Sequence, residues 1–101
     1  MTYPALELLL QAYLHQDFAE IYPDAWTAVD DYLTNEPTRD QLAAEIARLL
    51  EATASNEVLL EETFYKKLGC EYYPPADGYS VRDWLAALLW RAQNARGGPI
   101  S

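Results

Sequence analysis

The stretch PALELLLQAYL, residues 4–14, decides the fold class. Its apolar residues recur at spacings of three and four, which is the period of an α-helix with one buried face. These residues are Leu6, Leu9, Leu10, Tyr13 and Leu14. Thr2 can cap this helix, and Pro4 fits its first turn, where a proline removes no hydrogen bond. The stretch therefore predicts an amphipathic helix that ends near residue 14.

The same period continues in the next two segments. Asp24 fits the N-cap of a helix over about residues 24–34, and Pro37 ends that segment. Thr38 and Gln41 form a T-x-x-Q capping box, which predicts the start of a third helix. Both segments carry apolar residues on a single face, as helices that pack on a core require.

Two further helices are predicted downstream. Ser55 is the expected cap of the fourth, and Gly69 is expected just beyond its end, because a glycine readily takes the left-handed conformation there. Ser80 is the expected cap of the fifth. The stretch CEYYPPADGY, residues 70–79, lacks helical period and reads as a proline-rigid loop.

No segment alternates with the period of a strand, so the sequence predicts an all-α fold without a sheet. Five helices with short connections predict a compact bundle in a single domain. We assign residues 1–96 to this domain and residues 97–101, which contain Gly-Gly-Pro, to a flexible tail.

Composition predicts a cytoplasmic protein. The single cysteine, Cys70, allows no intrachain disulfide and suits a reducing compartment. The first ten residues carry no positive charge, so they do not resemble a signal peptide. No stretch approaches the ~18 apolar residues that a membrane span needs. We therefore expect no membrane partner.

Acidic charge is concentrated in the first third of the chain. The formal net charge of the chain is −9. Residues 1–38 contain seven acids and no Lys or Arg, whereas residues 39–101 contain nine acids and seven bases. This distribution disfavours nucleic acid, which needs a basic footprint, and favours a basic protein partner. Solubility alone is the other interpretation. The six acids assigned to the predicted surface are Asp17, Glu20, Asp24, Asp30, Asp31 and Glu36.

Catalysis has little support in the sequence. His15 is the only histidine, and its neighbour Asp17 could make it a catalytic pair or a helix-end lock. Cys70 follows a predicted helix C-terminus, which raises rather than lowers the pKa of a thiol. No metal-ligand spacing or nucleotide-binding motif is present. We therefore expect no enzyme, no cofactor, no metal and no small-molecule substrate.

Tyrosines gather in the loop between the fourth and fifth helices. Tyr72, Tyr73 and Tyr79, together with Asp77, form a second candidate binding patch, since tyrosine is enriched at protein interfaces. The alternative is that they pack the loop onto the bundle. Trp26 and Trp84 fall on apolar helix faces and are predicted to lie in the core, whereas Trp90 lies off the main stripe and is expected at the surface.

Three pieces of the sequence together resemble the small immunity proteins of contact-dependent growth inhibition systems. They are YPALELLLQAYLHQDF, then DAW, then LGCEYYPPADGYSVRDWLAAL, in this order and spanning about residues 3–90. The matching residues assigned to a structural family motif are Tyr13, His15, Gln16, Asp17, Gly69, Pro74, Gly78 and Trp84.

The resemblance implies an all-helical, non-enzymatic cytosolic protein that binds the C-terminal toxin domain of its cognate effector. It also implies that the toxin is often a nuclease with a basic substrate-binding surface. On that basis we expect the acidic surface to occupy a cationic cleft in place of phosphates. The alternative is an acidic helical adaptor or regulatory protein that binds another basic protein.

Overall fold

The computed structural model describes residues 2–14 and 20–94, and these form five α-helices with no strand among them. The helices are α1 (Pro4–Leu8), α2 (Ala25–Asn35), α3 (Arg39–Ala52), α4 (Glu57–Glu62) and α5 (Val81–Asn94). The radius of gyration is 12.9 Å, as expected for a compact domain of this length. The predicted all-α bundle is confirmed. The predicted boundary at residue 96 and the tail 97–101 lie outside the described residues.

Two helices continue as short π-helical segments, which the sequence analysis did not predict. α1 runs directly into Leu9–Tyr13, and α4 runs into Thr63–Lys67. The backbone N–H of the residue after each segment donates to a carbonyl five residues back, from Leu14 to Leu9 at 3.2 Å and from Leu68 to Thr63 at 2.8 Å. The wider turn still buries the apolar face, since Leu9, Leu10 and Leu14 are inaccessible to solvent.

Aromatic rings fill one end of the core around Trp84, which is fully buried on α5 as predicted. Trp26 of α2 stacks on Trp84 with ring centroids 5.4 Å apart. Tyr72 and Phe64 pack on Trp84 at 5.4 Å and 5.9 Å. Trp26 itself is half-buried, and the guanidinium of Arg91 on α5 also lies over its ring. This packing links the first helices to the loop before α5.

Two predicted caps are confirmed. Asp24 Oδ1 accepts the backbone N–H of Thr27 at 2.8 Å at the start of α2, and Ser80 Oγ accepts that of Asp83 at 3.0 Å at the start of α5. Each bond satisfies one of the amides that the first turn of a helix leaves without an intrahelical partner.

The predicted capping box at α3 is wrong. Thr38 occupies the N-cap position, but its side chain makes no capping bond; its Oγ1 lies 2.6 Å from the Tyr32 hydroxyl. Gln41 Nε2 donates to Glu45 Oε2 at 2.7 Å. Both side chains of the T-x-x-Q pattern are thus engaged by buried polar groups that compete with the local cap.

The predicted caps of α1 and α4 are also corrected. α4 is capped by Asn56, whose Oδ1 accepts the backbone N–H of Leu59 at 2.9 Å, rather than by Ser55. α1 follows Tyr3, not Thr2, and Tyr3 makes no side-chain capping bond; Pro4 stands in the first turn as predicted. A carboxylate from another helix caps α1 instead.

That carboxylate belongs to Glu45 of α3, which is only 2% exposed. Its Oε2 accepts the backbone N–H of Ala5 at 3.1 Å, and its Oε1 accepts that of Leu6 at 2.9 Å. A negative charge at a helix N-terminus is favoured by the helix dipole as well as by these bonds. Glu45 therefore joins α1 to α3 inside the bundle.

The loop before α5 contains a 3₁₀ turn over Pro74–Asp77. Gly78 follows it with a φ of +90°, and Gly69 ends the preceding helical run with a φ of +68°, as predicted for that glycine. Pro74 is buried beneath the turn. Among residues 2–14 and 20–94, none of the helices combines the length and apolarity that crossing a bilayer demands.

Candidate protein-binding surface

Five of the six acids predicted to form a binding surface lie in the described residues, in α2 and in the segments before and after it. We call this set the acidic surface; its members are Glu20, Asp24, Asp30, Asp31 and Glu36. Asp24 stands at the start of α2, where it accepts bonds from the backbone N–H and from Oγ1 of Thr27, each at 2.8 Å. These bonds stabilise the ionised form and lower the pKa of Asp24. Asp24 is therefore an exposed carboxylate that is charged at neutral pH.

Asp31 lies two turns further along α2 and is held by two neighbours. The Tyr22 hydroxyl donates to Asp31 Oδ2, and Asn35 Nδ2 donates to its Oδ1. The bond to Asp31 raises the pKa of Tyr22, because the phenol must keep its proton to donate. Asp31 is half-buried, and these two bonds hold its carboxylate in one orientation.

Glu36 follows the last residue of α2 and is held in a similar way. The Tyr13 hydroxyl donates to Glu36 Oε2 at 2.9 Å. Burial, and then the bond to Glu36, raise the pKa of Tyr13 to about 12. The Tyr13 ring also meets the Tyr32 ring edge-on, with centroids 5.4 Å apart. Packing of the ring thus sets the position of the phenol, and the phenol in turn orients the carboxylate.

Asp30 differs from the other acids because it pairs with a cation. Arg91 Nη1 of α5 donates to Asp30 Oδ1 at 2.9 Å, and the Arg91 guanidinium lies over the Trp26 ring at 4.5 Å from its centroid. The ion pair compensates part of the Asp30 charge. The sequence analysis did not identify this pairing, which joins residues 61 positions apart.

The remaining predicted residues separate into buried and exposed groups. Tyr72 is buried and packs the loop onto the bundle, and its hydroxyl donates to Oδ2 of the exposed Asp77 at 2.6 Å. Tyr73 is 59% exposed. Tyr79 is half-buried and meets the Trp26 ring edge-on at 5.9 Å. Asp17, His15 and Gln16 lie outside the described residues.

Cys70 has the environment of a packing residue. Its side chain is buried, and Sγ donates to the Tyr72 carbonyl oxygen at 3.4 Å. Burial raises the pKa of the Cys70 thiol to about 12, which is the direction the sequence predicted. Within residues 2–14 and 20–94, no three His, Cys, Asp or Glu side chains converge as metal ligands would.

Comparison with known proteins identifies the class of this chain. Residues 2–92 match the family model of the CdiI immunity protein, and the chain therefore belongs to that family. No curated protein matches the chain. It is similar to a chain in the crystal structure of the CdiA-CT/CdiI complex from Y. kristensenii 33638, with 33% sequence identity and a TM-score of 0.80. The match covers 89% of this chain and 97% of that one.

Proposed function

We propose that this immunity protein binds the C-terminal toxin domain of its cognate contact-dependent growth inhibition effector and blocks it in a 1:1 complex without catalysis. Membership of the CdiI family supports this assignment. So does the likeness to a chain of a CdiA-CT/CdiI complex, at an identity well above that of fold resemblance alone. Neutralisation in the cytosol of the target cell is part of the same proposal.

The observation that carries the proposed mechanism is one-sided charge. The segment from residue 20 to residue 38 holds five acids and no base. In the described part of the chain, Asp30 is the only one of the five in an ion pair. A surface of this kind attracts a basic partner and repels an acidic one. A nuclease-type toxin needs a basic surface to hold phosphates, so the carboxylates would occupy the place of those phosphates.

The phenols beside the carboxylates make this surface suited to tight binding. Tyr22 holds Asp31 and Tyr13 holds Glu36, so these two acids lose little conformational freedom when a partner binds. The short Asp24 side chain is anchored to the first turn of α2. The acidic surface is therefore preorganised in the free protein.

The experiment is a salt series with the toxin domain encoded by the neighbouring effector gene. We expect co-purification of the two proteins, and a dissociation constant that rises as NaCl increases from about 50 to about 500 mM, because exposed charges are screened. Toxin activity should return in parallel. Failure of the proteins to bind would contradict the proposed partner, and an affinity independent of salt would contradict occupation of the cleft by charge.

A further inference from the structure

Trp90 on α5 is a large indole that the fold does not use. It is 65% exposed, whereas Trp84, Leu85 and Leu88 of the same helix are fully buried. A tryptophan in this position contributes little to the core and keeps most of its ring in water. Tryptophan and arginine are the residue types most enriched at binding hot spots, and here they are adjacent as Trp90 and Arg91.

A shallow hollow of about 190 Å³ adjoins the indole and is lined by Asp30, Trp90, Arg91 and Asn94. Asn94 Nδ2 donates to the Trp90 carbonyl oxygen at 2.7 Å, which leaves Asn94 Oδ1 as an acceptor. Asp30 uses Oδ1 for Arg91, which leaves its Oδ2. In the part of the chain that the structure describes, neither of these two oxygens has a partner. The hollow thus combines an aromatic ring with hydrogen-bond acceptors.

The hollow and the acidic surface have Asp30 in common. An open groove of about 760 Å³ runs along the second half of α2 and includes Asp30, Asn35, Glu36 and Arg39 in its lining. Asp30 therefore borders both the groove and the hollow. Arg91 is already engaged by Asp30 and by the Trp26 ring, so the groups of the hollow that remain for a ligand are the Trp90 ring, Asp30 Oδ2 and Asn94 Oδ1.

We propose that Trp90 and this hollow extend the toxin-binding surface from α2 onto α5 and receive a lysine or arginine side chain of the toxin domain. The inference rests on the proposed function. The cation lies against the Trp90 ring, where the ring quadrupole attracts it, and donates hydrogen bonds to Asp30 Oδ2 and Asn94 Oδ1. Arg91 also lines the hollow, and its guanidinium is directed toward Asp30 and the Trp26 ring.

The test is the dissociation rate of the complex with the purified toxin domain. We expect Trp90→Ala to raise the dissociation rate by at least about 30-fold, as loss of a hot-spot residue does, and to change the association rate by less than about two-fold. Trp90→Phe keeps a ring face and should retain part of the affinity. Trp90→Leu keeps apolar area without a π face and should dissociate nearly as fast as Trp90→Ala; full affinity for Trp90→Leu would overturn the cationic occupant.

Val58 provides a control, and Tyr73 of the second candidate patch provides a competing binding site. Val58 on α4 is 68% exposed, and Val58→Ala should leave both rates unchanged. Tyr73 is the other exposed aromatic residue of the described chain, on the loop before α5. Normal binding by Trp90→Ala together with weak binding by Tyr73→Ala would overturn the inference and leave the proposed function standing. Absence of binding by the wild-type protein would instead contradict the proposed function.

Discussion

Glu45 shows how a single residue can define a helix start 40 positions away. The apolar stripe of α3 runs through Leu42, Ile46 and Leu49, and Glu45 lies within it at helical spacing. A carboxylate in such a stripe must find partners, because burying it bare is very costly. That conflict was visible in the sequence and predicts a buried polar site. It does not reveal that the partners are the first amides of α1.

Replacing Glu45 should destabilise the bundle. Glu45→Ala leaves the backbone N–H groups of Ala5 and Leu6 buried without acceptors, and we expect the free energy of unfolding to fall by about 2–4 kcal/mol. Glu45→Gln keeps one acceptor oxygen and should fall between that variant and the wild type. Urea denaturation measures the change. Glu51→Ala, at an exposed position of the same helix, is the control and should change stability by less than about 0.5 kcal/mol; equal losses at both positions would contradict the capping role.

The thiol of Cys70 should be nearly inert in the folded protein. Because burial raises its pKa from 9.0 to about 12, the thiolate fraction at pH 8 falls from about one in ten to about one in ten thousand. We expect iodoacetamide to modify Cys70 at least about 100-fold more slowly in buffer than in urea, as followed by mass spectrometry. Equal rates would show that the thiol is accessible and ionised.

The raised pKa of Cys70 also determines whether the free energy of unfolding rises or falls at high pH. The folded pKa of Cys70 lies above the unfolded one, so the neutral thiol stabilises the fold fully below about pH 9. That contribution is lost as the pH rises toward 12. A Cys70→Ala variant should therefore lose less of its stability than the wild type over this interval.

At the scale of elements, the two π-helical segments are joined by one side chain. Gln11 lies in the first segment, and its Nε2 donates to the Leu68 carbonyl oxygen at 2.8 Å, at the end of the second. It also donates to Glu7 Oε2 at 3.2 Å. Gly69 lies directly beneath this amide, since a Cβ built on it would come within 2.9 Å of Gln11 Nε2. Position 69 therefore requires glycine for two reasons: its φ is positive, and a Cβ there would come too close to the Gln11 amide.

Gly69→Ala should be more damaging than Gly78→Ala. Both glycines have a positive φ, so each alanine should cost about 1–2 kcal/mol in backbone strain. Only the alanine at position 69 would displace the Gln11 amide, with a further loss of about 1 kcal/mol, because nothing lies within 4 Å of the Cβ position at Gly78. Thermal unfolding compares the two. In a Gln11→Ala background the extra loss should disappear; persistence of the full difference there would contradict this account.

Helix number and approximate position could be predicted from the sequence, because apolar period and the Asp24 and Ser80 caps are local signals. The two π-helical segments could not be predicted from the sequence. Leu9, Leu10 and Leu14 can face the core whether the turn is α-helical or contains the one extra residue of a π-helix. The Thr38 capping box failed for a different reason. Tyr32 lies next to it only after α2 and α3 have packed, and a local motif contains no information about that neighbour.

At the scale of the whole molecule, the sequence predicted that acidic charge is concentrated in the first third of the chain. It did not predict which of these acids pairs with a basic residue from the rest of the chain. Counting acids and bases assigns residues 17–36 to an acidic surface. The Asp30–Arg91 pair and the contact of Arg91 with Trp26 depend on which face of α2 meets α5, and the helical period fixes faces without saying how they combine. For the same reason, the burial of Tyr72 and the exposure of Tyr73 could not be separated in advance.

Charge-matched variants distinguish a local acidic surface from the net charge of the molecule. Asp31→Lys with Glu36→Lys reverses two acids and leaves the Asp30–Arg91 pair and Trp90 untouched. We expect association with the toxin domain to slow by about ten-fold or more at low salt, because electrostatic steering accelerates encounter by about 10–10³. The dissociation rate should rise as well, because these two carboxylates are proposed to occupy the cationic cleft in the complex. Stopped-flow fluorescence over a range of ionic strengths measures both rates.

The matched control is Glu61→Lys with Glu62→Lys, which reverses two exposed acids near the end of α4 and changes the net charge by the same amount. We expect its association rate to stay within about two-fold of the wild type, because screening limits steering to charges within about a Debye length of the partner, ~10 Å at 0.1 M salt. Equal slowing by the two variants would mean that the toxin senses only the total charge, and the acidic surface on α2 would have no special role in encounter.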